Sequence, residues 1–191
     1  MLIDEFLPEY DFVETHSIAI DASAEQVYAA ANEVDFADSF IVRWLLRLRG
    51  MSGEAVSLRN LEYSKFKILG EVVNREVLIG LAGRFWTPWG DMQRVDASNF
   101  REFEKAGYAK AAWNFSLDGS SNETHLTTET RIRCLDDGSR RSFRFYWTFI
   151  QPFSGLIRVE MLKTIKRKAE TDRAGRLKTL RRLKRRRQET Y

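Results

Sequence analysis

Residues 127–170 read TTETRIRCLDDGSRRSFRFYWTFIQPFSGLIRVEMLKTIKRKAE, and the way this stretch divides decides the fold. Its first residues alternate as a strand. Asp136-Asp137-Gly138 then reads as a tight turn, because glycine supplies the positive φ that a short reversal demands. Beyond it Phe143, Phe145, Trp147 and Phe149 alternate with Ser142, Arg144, Tyr146 and Thr148, which predicts a second strand with one aromatic face. Pro152 marks the start of a helix in which Ile157, Met161, Ile165 and Ala169 recur every four residues beside Leu162. The expectation is an antiparallel sheet folded around one long C-terminal helix.

Upstream, DFVETHSIAI at 11–20 alternates as a strand, with Phe12, Ile18 and Ile20 in one phase around His16. Ser23 and Gln26 have the spacing of a capping box, and the helix they open has a small-residue face of Val27, Ala30, Ala31 and Val34. Residues 35–49 read as a second helix ending at Gly50, and 51–64 as a loop or short helix. Residues 66–74 and 75–86 form a strand pair turning near Asn74, with Gly70, Gly80 and Gly83 suited to bulges. Thr87-Pro88-Trp89-Gly90 is a turn with an exposed Trp89. Residues 91–107 lack a period, as a lid or binding loop would. Tyr108 to Leu117 is a strand with Ala109, Ala111, Trp113, Phe115 and Leu117 on one face, turned at Gly119. Residues 1–10 are expected to be irregular. Two helices after one strand, without parallel crossovers, give an α+β layout.

The 191 residues suit one domain with a tail, and 24 aromatic side chains can supply both a core and a cavity lining. Cys134 is the single cysteine, which excludes an intrachain disulfide framework and a multi-cysteine metal site. The first twenty residues lack a signal core, so a cytoplasmic location is expected. Charge is partitioned: residues 163–191 carry 13 Lys and Arg against three acidic groups, net +10, and the rest of the chain is net −6. The body is therefore residues 1–170 and the basic extension 171–191. That extension could meet an anionic membrane; sequence-specific nucleic-acid reading is not expected, because no recognition motif accompanies the charge.

At the level of residues, YDFVETHSIAIDASAEQVYAAANEVD, GYAKAAWNF, LTTETRI and YWTFIQPFSGLIRVEMLKTIKRKAE resemble a bacterial branch of the SRPBCC superfamily, over about residues 8–170. That superfamily includes START lipid-transfer domains, birch-pollen-allergen-like proteins and polyketide cyclases. The resemblance implies a helix-grip fold, with a cavity for an apolar or aromatic small molecule or lipid between the concave sheet and the last helix. The residues expected to line it are Trp113, Phe115, Thr128, Thr130, Phe145, Trp147, Arg158, Met161 and Ile165, with Phe143 and Phe149 given to packing. Arg158 falls inside the apolar stripe of the helix, where it must either pair with a structural group such as Glu129 or meet an anionic ligand group. Alternation puts Glu129 and Arg131 on one sheet face and Thr128 and Thr130 on the other.

Ligand binding is favoured over catalysis, since no nucleophile elbow, phosphate loop or dinucleotide fingerprint occurs, and no cofactor is expected. His16 and His125 lack partners at metal-ligand spacing, so no metal site is expected. The alternatives are a polyketide cyclase- or dehydratase-like enzyme, with Tyr108, Tyr146 or His125 as acid or base, and a lipid carrier that docks on membranes through its tail.

Overall fold

A computed structural model describes residues 1–34 and 66–188, with side chains through residue 176. Among the described residues six strands, β1 (Phe12–Ile20), β2 (Lys67–Val72), β3 (Glu76–Arg84), β4 (Gly90–Gln93), β5 (Ala109–Gly119) and β6 (Thr124–Cys134), make one antiparallel sheet. Its order is β1-β6-β5-β3-β2, with β4 paired to β3. The turn between β2 and β3 is made by Asn74 at φ 61°, a left-handed conformation that asparagine tolerates. Register slips between Ile68 and Gly70 and between Ala82 and Arg84, as expected of bulges at those glycines, and bulges bend the strands that carry them.

Among the described residues three helices accompany the sheet: α1 (Leu2–Phe6), α2 (Ala24–Glu33) and α3 (Asp137–Gln188). The capping box at Ser23 and Gln26 forms as the sequence indicates. Residues 1–10, expected to be irregular, contain α1 instead. The helix and loop expected at 35–64 lie outside the described residues.

The largest departure is at the opening stretch. Residues 142–149 are helical, and α3 begins at Asp137 rather than near Pro152. The expected hairpin turn is a helix cap. Asp136 Oδ1 accepts the Ser139 amide at 2.9 Å, while Ser139 Oγ accepts the Asp136 amide at 3.2 Å. This reciprocal pair satisfies donors that a helix start leaves open, and Gly138 is not among the glycines with positive φ. The aromatic run fits a helix because Phe143, Tyr146 and Trp147 recur at three- and four-residue spacing and pack together with Phe12 and Phe85. Pro152 lies inside α3, where it forgoes one ladder bond without ending the helix.

The sheet has two covered faces. On the inner face Val77, Ile79, Phe115, Leu117 and Leu126 pack with Ile157, Met161, Leu162, Ile165 and Ala169 of α3 and with Val27, Ala30 and Ala31 of α2. The outer face, which carries Glu129 and Arg131, is closed by α1 and by residues 95–103. Phe100 is fully buried there among Ile3, Phe6, Leu69, Leu78 and Ala112. Of residues 91–107, the first three belong to β4 and 95–103 cover the face opposite α3, so the segment is not a lid over that helix. Contacts of α3 with the body continue past Glu170: Arg173 donates to the carbonyls of Asp21 and Asn122. The arrangement is an α+β helix-grip fold.

Candidate functional site

Alternation and register bring one set of side chains to the inner face above the packed core. Glu14 of β1 lies opposite Thr130 of β6, and Thr130 lies opposite Trp113 of β5. In the next row inward, His16 faces Thr128 and Thr128 faces Phe115. Four of the expected residues are tied together here. Arg158 reaches down from α3 and donates from Nε to Thr130 Oγ1 at 2.9 Å. Its guanidinium stands over the Trp113 ring, 5.6 Å from the centroid, within cation–π range. Trp113 Nε1 donates to Thr128 Oγ1 at 2.7 Å, and Thr128 Oγ1 donates to the Asn114 carbonyl at 2.8 Å.

Arg158 therefore meets Thr130 and not Glu129. Glu129 faces outward and accepts from Arg131 at 2.6 Å, with Asp4 of α1 taking the other arm of Arg131 at 2.7 Å. The Arg131 hydrogen bond is the main reason the Asp4 carboxyl is held below its ordinary range.

The other expected residues separate. Phe115, Met161 and Ile165 are buried in the inner core. Trp113 is only partly buried, edge-on to Phe66 and Phe115 with centroids 6.5 and 5.3 Å away, so the inner face closes at Phe115 and loosens at Trp113. Trp147 stacks on Phe143 at 5.6 Å, near Phe12. Phe145 is 72 % exposed and pairs with exposed Phe149 on the outer side of α3. Phe149, given to packing on the sequence, is thus a surface residue. Both rings line a groove of about 680 Å³ with Trp86, Arg141, Ser142, Tyr146 and Ile150.

Two residues that the sequence reading did not assign to the site join it. Glu14 and His16 share the inward phase of β1 with Phe12, Ile18 and Ile20, and that phase was the available signal. His16 Nε2 and Glu14 Oε1 are 3.0 Å apart. The Glu14 side chain is 8 % exposed, and its Oε2 has no hydrogen-bond partner among the described residues. The pair sits beneath Gly155 of α3, where a Cβ would come within 2.7 Å of Glu14 Oε1. Glycine is what lets the helix backbone approach this pair.

The residues considered as acids or bases lie elsewhere. Tyr108 is buried with its hydroxyl donating to Asp91, His125 is exposed beside Glu123, and Tyr146 packs on Phe143. Cys134 is buried, and burial first, then the Asp11 charge, pushes its thiol up to about 12, which makes it a poor nucleophile. Among the described residues no cluster of three His, Cys, Asp or Glu could hold a metal ion.

Fold and site together define a helix-grip domain with a polar cluster on the concave side of its sheet. No protein-family model and no curated protein matches the chain. Among solved structures it is similar to TTHA0849 from Thermus thermophilus, at 10% identity and TM-score 0.36, over 84% of this chain and 99% of that one. It is also similar to a Thalictrum flavum norcoclaurine synthase point mutant in complex with a transition-state analogue, at 10% identity and TM-score 0.39, over 85% and 96%. A third is BexL, a di-domain ARO/CYC from the BE-7585A biosynthetic pathway, at 13% identity and TM-score 0.36, over 84% of this chain and 47% of BexL, so this chain spans about half of it.

Proposed function

We propose that this domain binds an apolar or aromatic small molecule on the concave face, beside Trp113 and Arg158. The observation that carries the reading is the change along that face. Beneath Met161 and Ile165 the side chains are buried, whereas at Trp113 a large aromatic ring stays partly open next to a guanidinium and two threonines. Apolar area with a few convergent polar groups is the usual make-up of a small-molecule site. Native mass spectrometry of the purified protein should show a copurified ligand, or uptake of a fluorescent apolar probe that Trp113→Ala abolishes. A protein that is empty and takes up no such probe would end this reading.

A second reading, that the bound molecule is exchanged at an anionic membrane surface, is favoured by the outer side of α3. Phe145, Phe149, Phe153 and Leu156, 72, 59, 37 and 56 % exposed, succeed one another along it, and the basic residues 163–191 follow in sequence. Such a combination of apolar side chains and basic charge suits an interfacial helix; no helix among the described residues is long and apolar enough to cross a membrane. Sedimentation with anionic vesicles should fall on Phe145→Ser/Phe149→Ser and on deletion of residues 171–191. Unchanged binding at low and high salt removes this reading.

A further inference from the structure

The unpartnered oxygen of Glu14 bears on what the guest must be, and the inference rests on the concave face being the guest's site. A buried carboxylate oxygen with no donor is costly, and native structures seldom leave one so. The other oxygen is already held by His16 at 3.0 Å, so the carboxylate is oriented. Its place in the inward phase of β1 directs it to the same side of the sheet as Trp113, two strands away or about 10 Å at ordinary strand spacing. Gly155 lets the α3 backbone pass close over the Glu14–His16 pair, where a Cβ would strike Glu14 Oε1, the oxygen that His16 holds.

We infer that Glu14 Oε2 accepts a hydrogen bond from a hydroxyl of the guest, so that the site selects a hydroxylated aromatic of about two rings over its bare or capped counterpart. The apolar body rests against Trp113 and the hydroxyl is received at Glu14. A neutral hydroxyl fits better than an ammonium, because Arg158 stands one strand away on Thr130, directly opposite Glu14, and disfavours a second cation. His16 acts on this contact only through Glu14, by fixing the carboxylate.

The test compares 2-naphthol with 2-methoxynaphthalene, alike in body but different in the donor, by fluorescence titration of the full chain at neutral pH. Wild type should bind 2-naphthol about tenfold more tightly or better, the size expected of a hydrogen bond to a charged acceptor. Glu14→Leu should bind both equally, with the ether's affinity close to wild type. Trp113→Ala should weaken both together. If Glu14→Leu does not fold, Glu14→Gln takes its place and should keep only a reduced preference, its carbonyl being a neutral acceptor.

Equal wild-type affinities for the two probes, both lost in Trp113→Ala, would overturn the hydroxyl contact and leave the binding site standing. Such a result is also what a resident water on Glu14 would give. A preference that persists in Glu14→Leu places the acceptor elsewhere and overturns it too. Failure of both probes to bind would count against the concave site itself, and this inference would fall with it.

Discussion

The two faces of the sheet treat buried charge in opposite ways. On the outer face each buried charged group is answered. Glu76 accepts the Leu2 amide at 2.7 Å and the Asn114 side-chain amide at 2.7 Å, and Lys110 donates to the Arg101 carbonyl at 3.0 Å and lies 3.1 Å from Glu104. On the inner face Glu14 keeps an oxygen without a partner among the described residues, and Trp113 stays partly open. A polar group whose bonds are all made by the fold holds the fold together. One whose bonds are left unmade is available to something that arrives later. The outer face is thus read as structural and the inner face as receptive.

That contrast should show first in stability. Phe100→Ala, which empties a fully buried site on the outer face, should cost about 3–5 kcal/mol, measured by urea unfolding. Glu76→Ala leaves the part-buried amide of Leu2 and the buried side-chain amide of Asn114 without an acceptor and should cost about 2–3 kcal/mol by the same assay. An inner-face Glu14→Leu should change stability by less than about 1 kcal/mol, because it removes an incompletely bonded group. A Glu14→Leu loss as large as that of Glu76→Ala would erase the distinction between the faces.

Asp136 gives a smaller effect with a defined pH dependence. Backbone hydrogen bonds from Ser139 first, then Gly107, hold its carboxyl below the ordinary value, so it binds a proton less readily folded than unfolded. The stability it confers is present above the unfolded-state pKa and is lost as pH falls through the lower folded value. Asp136→Ala should therefore cost about 1 kcal/mol at neutral pH, the usual worth of a cap, and the gap to wild type should close in acid. A gap that widens in acid would contradict this assignment. Gly155→Ala should give the smallest change, within about 1 kcal/mol, because the clash is with the movable end of Glu14 while alanine favours the helix. Its effect should be seen in the preference for 2-naphthol.

The strands from Asp11 to Ile20, from Tyr108 to Leu117 and through Thr127–Arg131 were legible because successive side chains of a strand alternate between the two faces of the sheet. So were the bulges at Gly70 and Gly83 and the inward Thr128 and Thr130, whereas Gly80 sits in regular register. The run 142–149 was not, because Phe143, Phe145, Trp147 and Phe149 alternate while Phe143, Tyr146 and Trp147 also satisfy a helical spacing. Asp136 and Ser139 carried the deciding cap signal, and Pro152 pointed to a later start. Phe145 and Phe149 went outward as a result. What covers the outer face was also not legible: nothing local in residues 1–10 or 91–107 says which sheet surface they meet. Glu14 and His16 were visible in phase but needed Gly155, 139 residues beyond His16, to become a pair under a helix.

The most direct test follows the indole N–H signals of the five tryptophans by two-dimensional NMR during titration with 2-naphthol. The Trp113 signal, assigned through Trp113→Phe and reporting the bond to Thr128, should move saturably with the affinity found by fluorescence. A Trp113 signal that stays fixed while Trp86 moves would place the guest in the outer groove beside Phe145 and contradict a receptive inner face.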